Sequence, residues 1–151
     1  MSTQRDRFEL FTRLQSLGFT YDEAASLRRI EMTLRRWAEA ECNGDIQRDE
    51  VTGKPVRRFR THPDSCYSND RAYAGIAEEH LWSIADREAG ALKRCAAILA
   101  ARNARNPDAD PLIHYHQGDP RGCCLYLLKR SDIRPGEQIG SIYTRGLAVC
   151  C

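Results

Sequence analysis

A chain of 151 residues, 42% hydrophobic and 29% charged, is long enough for one compact domain with its own core and too apolar to stay disordered. Its 23 basic residues against 21 acidic ones leave a formal charge of only +2, which excludes a global field that drives the protein onto nucleic acid or an anionic membrane. No window reaches the roughly 18 apolar residues of a membrane span, and MSTQRDRFEL lacks the apolar stretch of a secretion signal, so the expected location is the cytoplasm, with no membrane partner.

In the first element Phe8, Phe11, Leu14 and Leu17 recur at helical spacing and stop at Gly18, the residue type favoured just beyond a helix end. Thr20-Tyr-Asp-Glu23 then reads as a capping box, and Leu27, Ile30, Leu34 and Trp37 form a stripe that predicts a long amphipathic helix from Tyr21 to Glu41. Asn43-Gly44 ends it, closing a helical part over 1–43. Over 45–60, Thr52-Gly53-Lys54-Pro55 between two short extended runs predicts a hairpin. THPDSCYSN, from Thr61, has turn formers and no period, which predicts a loop; Asp70 is placed to cap a short helix to about Trp82. Ser83, with Asp86 three residues on, is a candidate cap for a separate helix over 84–103 carrying Ile84, Leu92, Cys95, Ile98 and Leu99.

After Pro111 the pattern changes to strands over 111–151: LIHYHQ and CCLYLLK around GDPRG, and GLAVC near the end. Helices and antiparallel strands without βαβ alternation predict an α+β fold, one domain over 1–151, with long helices packed on one face of a small antiparallel sheet built from hairpins. Asp119-Pro120-Arg121-Gly122 fits a type I turn, and a left-handed glycine after it makes the usual three-residue hairpin. That turn pairs Asp119 with Cys123, Gln117 with Leu125 and Tyr115 with Leu127. Ile113, Tyr115, Cys123, Leu125 and Leu127 then form the face toward the helices, and His114, His116, Cys124 and Tyr126 the opposite one, with His116 diagonal to Cys124.

Two histidines and a thiol on one face are a chemically sensible start to a zinc site, because neutral imidazole and thiolate both suit that ion. A fourth ligand is missing; Cys66 or His62 can supply one only if the loop brings them there. The other cysteines give no framework: Cys42, Cys66, Cys95, Cys123, Cys124, Cys150 and Cys151 are odd in number, contain no CxxC, and are expected to be reduced, with Cys150-Cys151 a source of oxidative dimers in vitro.

The second candidate chemistry is cationic. All 23 basic residues except Lys54, Lys93 and Lys129 are Arg, a skew attributed to a GC-rich genome rather than to phosphate recognition. Arg28, Arg29, Arg35 and Arg36 lie at heptad spacing on the polar side of the second helix, Arg57 and Arg58 precede Phe59-Arg60, and Arg121 sits at the hairpin tip. A shared face would make these a nucleic-acid or anion surface. Glu31 and Glu39, each four residues from Arg35, pair part of this charge internally. Asp45, Asp49 and Glu50 near Arg48, and His62 or His80 as bases, show no catalytic spacing, and no phosphate loop, nucleophile elbow or HExxH is present.

EAASLRRIEMTLRRW, from Glu23 to Trp37, resembles the helix-turn-helix of MerR-type regulators over this stretch alone; Arg28-Arg29 stands where those proteins have a glycine turn, and a continuous helix satisfies the stripe better. More broadly, LRRIEMTLRRWAEAECNGD, IQRDEVTGKP, ADREAGALKR, HQGDPRGCCLYLL and YTRGLAV, in that order, resemble a family of small uncharacterised phage and prophage proteins of proteobacteria, with Thr61 to Ser83 the region of departure. The resemblance implies a phage-derived accessory protein in the cytoplasm of a bacterial host and brings no catalytic residue. The function expected is a non-catalytic binding module for a host or phage protein or for nucleic acid, with no cofactor and with a homodimer open. The alternative is a zinc-dependent enzyme using His114, His116 and Cys124.

Overall fold

The computed structural model of the protein describes residues 4–42, 47–48, 50–51, 55–56 and 71–150. Helix α1, Gln4–Ser16, buries Leu10 and Leu14, with Phe11 and Leu17 at the edge of the core. Phe8, which the sequence stripe includes, is instead 72% exposed. Its ring lies a turn ahead of Phe11 on the solvent side, because Leu10 and Leu14 centre the buried face. Gly18, at φ +99°, ends the helix with a paired closure in which Phe19 N–H donates to Leu14 O and Gly18 N–H to Gln15 O. That closure folds Phe19 onto Leu14 and presents Thr20 as the next N-cap.

Helix α2, Tyr21–Cys42, starts on the predicted capping box. Thr20 N–H donates to Glu23 Oε1 at 2.9 Å and Glu23 N–H to the Thr20 hydroxyl at 3.1 Å. It runs unbroken through the segment that resembles a helix-turn-helix. Ala24, Leu27, Ile30, Leu34, Trp37 and Ala38 make its buried stripe. Short strands β1, Gln47–Arg48, and β2, Pro55–Val56, pair antiparallel as the predicted hairpin requires.

Helix α3, Arg71–Arg105, is a single helix where the sequence predicts two. Ser83 is therefore interior and not a cap. Neither Gly nor Pro stands near Trp82-Ser83-Ile84, and a serine inside a helix costs only about 0.5 kcal/mol relative to alanine, too little to force a break. Ala91, Cys95 and Leu99 pack against α2, and the small Ala91 and Cys95 let the two axes approach. At its end Arg102, 5% exposed, donates to Leu17 O at 2.7 Å and Asp110 O at 2.9 Å. Arg105 grips the Glu23 carboxylate at 2.5 and 3.1 Å and reaches Gly18 O. The α1–α2 corner is thus bolted to the α3 terminus by backbone carbonyls that the helix ends leave without helical partners.

Asn103 acts as a false strand edge, accepting from Leu112 N–H at 3.0 Å and donating to Leu112 O at 3.1 Å. This starts β3, Leu112–His116, which pairs antiparallel with β4, Leu125–Lys129, and β4 with β5, Leu147–Ala148, in the order β3-β4-β5. Leu112, Leu125, Leu127 and Val149 join the helical residues in one core cluster. A short helix α4, Ile139–Ile142, and the turn after it cover the other side of the sheet, where Tyr143 stacks on Tyr115 at 4.6 Å and meets the Tyr126 edge at 4.8 Å. The fold is α+β. Among the described residues no helix is long and apolar enough to cross a membrane.

The hairpin register differs from the predicted one by a residue. His116 faces Leu125, Tyr115 faces Tyr126 and His114 faces Leu127, and Gln117 N–H donates to Cys124 O at 3.0 Å. The type I turn itself forms, with Gly122 N–H donating to Asp119 O at 3.3 Å and Arg121 N–H to Asp119 Oδ1 at 3.0 Å. Gly122 does not adopt positive φ, however, so the left-handed closure on which the predicted register depends is absent. A slip by one residue moves every side chain to the other face. Leu112, His114 and His116 therefore share the helix-facing side with Leu125 and Leu127, while Ile113, Tyr115, Tyr126 and Leu128 face α4.

Candidate functional site

The second half of α2 lies along this hairpin, and a carboxylate joins them. Glu31 is fully buried, in phase with Leu27 and Leu34 on the apolar stripe. Its Oε2 accepts from Arg28 at 2.7 Å, and its Oε1 from Arg35 at 2.7 Å and from Cys124 N–H at 3.3 Å. The two arginines approach from neighbouring turns, one before and one after, which the i,i+3 and i,i+4 spacing of a helix permits. Burial of the charge is tolerated because each oxygen is matched by a cationic donor. Opposing effects act on Arg35: burial lowers its pKa, while Glu31, joined by Cys150 and Cys124, raises it, and the net direction is upward.

The predicted arginine ridge therefore divides. Arg28 and Arg35 turn inward onto Glu31, with side chains 18% and 34% exposed. Arg29 and Arg36 remain exposed, Arg29 touching the Ser26 hydroxyl at 3.2 Å. Arg121, 88% exposed at the hairpin tip, lays its guanidinium on the Asp119 carboxylate at 3.1 Å from both Nε and Nη2. Its fork is occupied within its own turn, which also holds the Asp119 carboxyl below its usual range. Arg57 and Arg58, with Asp45, Asp49, His62 and Cys66, lie outside the described residues. Glu50 is exposed in the turn between β1 and β2, and Arg48 and His80 fall in β1 and α3.

The register moves the histidines away from the solvent face. Burial pushes the pKa of His114 below its ordinary value of 6.5, and does the same for His116, where the Glu41 carboxylate opposes it. Among the described residues His116 Nε2 is buried without a hydrogen-bond partner. Cys124 is also fully buried, its thiol raised to about 11 chiefly by burial, and Tyr126 is half-buried against Tyr143. The predicted diagonal pairing of His116 with Cys124 does not occur, since Cys124 is opposite Gln117. Among the described residues no three His, Cys, Asp or Glu side chains are grouped to hold a metal ion.

The histidines give a pH prediction. A base whose folded pKa is depressed binds fewer protons folded than unfolded, so its contribution is present above the unfolded value of 6.5 and lost as pH falls through the folded value. The urea midpoint is expected to decline as pH drops below 6.5, ahead of the range in which carboxylates protonate. His114→Gln with His116→Gln should flatten that part of the profile; an unchanged slope would assign it elsewhere.

Beyond the pairing of Glu31 with Arg35, which the four-residue spacing gives, two features escape the sequence reading. The Glu31 hub carries a visible signal, a carboxylate in phase with the apolar stripe and flanked by arginines at minus three and plus four. The other is the burial of Cys123, whose thiol donates to Leu125 O at 3.0 Å just ahead of β4. No local pattern encodes it. No protein-family model, curated protein or solved structure matches the chain.

Proposed function

We propose that the protein is a non-catalytic binding module, of phage or prophage descent, that docks onto a host or phage protein through the outer face of α2. The observation that carries this reading is the pairing of Tyr21 and Met32, 60% and 42% exposed, on one stripe of α2, with exposed Arg29 and Arg36 beside them. Eleven residues is roughly three helical turns, so Tyr21 and Met32 point the same way. Aromatic, Met and Arg side chains are the types enriched where proteins meet, and large apolar groups in water gain by being covered. Phe8 extends the surface from α1, a turn before Phe11, whose ring lies 5.5 Å from that of Tyr21.

Quantified capture from a bacterial host lysate tests the reading. Tyr21→Ala with Met32→Ala is expected to reduce retention of a wild-type partner about tenfold, the scale of a lost interface anchor. A protein profile identical for wild type and variant would overturn it. Nucleic acid is the second outcome: oligonucleotide affinity that falls steeply with salt, and weakens in Arg29→Gln with Arg36→Gln, would transfer the same face to phosphate binding.

A further inference from the structure

β5 closes one side of the three-stranded sheet, and only half of its backbone is used there. Val149 N–H donates to Leu125 O at 3.0 Å and Leu147 faces Leu127, so in an antiparallel ladder these two residues turn their amides toward β4. Ala148 stands between them opposite Tyr126, in the pair that exchanges no hydrogen bonds, and its N–H and C=O therefore point outward, away from β4. Among the described residues neither group meets another strand, the sheet order being β3-β4-β5. A donor and an acceptor side by side on a strand edge form a template for one more strand.

This edge opens on a recess of about 170 Å³, bounded by Leu147 and Ala148 on one side and by Asp6, Glu9, Leu10 and Arg13, one face of α1, on the other. Leu147 and Ala148 are only half-buried, so the edge can be reached from solvent. Leu10 adds an apolar surface, and two carboxylates against one guanidinium leave the α1 wall acidic. Glu9 shares its Oε1 with Arg5 at 3.2 Å, but the two side chains are 55% and 87% exposed, and a pair so wet is readily exchanged for another cation. Phe8 is two positions from both Asp6 and Leu10 and so lies on nearly the opposite flank of the helix. The recess is therefore separate from the surface that Phe8 extends.

We propose that an extended peptide segment of a partner protein docks in this recess, pairing its backbone with Ala148 on the open edge of β5 and setting a basic side chain against Asp6 and Glu9. The peptide residue opposite Ala148 accepts from Ala148 N–H and donates to Ala148 O, which adds a fourth strand to the sheet. In such strand addition the main-chain bonds supply affinity, and the side chains that meet the walls supply the choice of sequence. A lone strand enters this space more readily than the edge of a second copy, which carries its own α1 beside β5. The acidic wall favours a segment with lysine or arginine at the position facing α1, and apolar side chains on either side of it suit Leu10 and Leu147.

Amide NMR of the isotope-labelled full chain, titrated with the acetylated and amidated peptide Thr-Val-Lys-Val-Thr, tests the proposal. The Ala148 amide is expected to shift with saturation at millimolar peptide and to gain protection from hydrogen exchange, while Val149 N–H, already bonded to Leu125 O, changes little. Methylating the three central backbone nitrogens of the peptide should abolish the shift, because the donors to the edge are gone. Replacing its lysine by glutamate should weaken binding about tenfold, the scale of one lost charged contact. An unmoved Ala148 amide, or either altered peptide binding as well as the first, would overturn the proposal. So would protection of Ala148 that rises with protein concentration alone, which would give the edge to a second copy. The controls alter the peptide and not the protein, so folding of the chain is never in question.

Discussion

Glu31→Ala is expected to lower the unfolding free energy by about 3 kcal/mol, the smaller end of what removing one member of a buried ion pair costs. The smaller end applies because Arg28 and Arg35 still reach water, with side chains 18% and 34% exposed. Truncation leaves two cations against the core and strips Cys124 N–H of its acceptor, so the loss includes desolvated donors as well as a missing attraction. Urea denaturation followed by Trp fluorescence should report a lower midpoint at an unchanged slope. Glu31→Gln, which keeps the acceptor oxygen for Cys124 and Arg35, should lose less. Joint replacement of Arg28, Glu31 and Arg35 by Met, Leu and Met should also cost less than Glu31→Ala, since no unpaired charge stays buried. A Glu31→Ala midpoint equal to wild type would mean that the carboxylate is solvated in solution and does not join α2 to the hairpin.

What could be read in the sequence follows the range of each interaction. The capping box at Thr20 and Glu23 and the closing Gly18 were legible because every group involved lies within a few residues, and the stripe from Leu27 to Trp37 because a helix repeats its geometry. The hairpin existed in the sequence, yet its register turned on one dihedral angle at Gly122, which the residue permits in either sign. The side chosen by His114 and His116 then followed from the register. At Ser83 a cap signal was outweighed by continuity, since no helix breaker stood beside it and one long helix keeps hydrogen bonds that two would forfeit. The division of the arginine ridge came from Glu31, a carboxylate on the wrong side for a solvated charge. The closing strand was visible and its partner was not, because the β4–β5 pairing joins segments that a short helix separates in the chain.

That pairing can be broken at a single atom. A Cβ placed on Gly146 would lie 2.4 Å from Leu127 O and 2.8 Å from Leu128 Cγ. The φ of −80° at Gly146 suits any residue, so the obstacle is wholly steric: the turn after α4 passes directly over the β4 backbone. A methyl group cannot be accommodated by rotating a side chain, because the nearest atom is a main-chain carbonyl. Gly146→Ala is therefore expected to cost about 2–3 kcal/mol, in the upper part of the range for overpacking, and to fall mainly on β5, the short edge strand that starts at Leu147. Hydrogen exchange supplies the local readout. Protection of Val149 N–H, which donates to Leu125 O, should drop more than that of the α2 core, as a sub-global opening requires. Wild-type protection at Val149 in this variant would show that the turn can shift off β4 without releasing the strand.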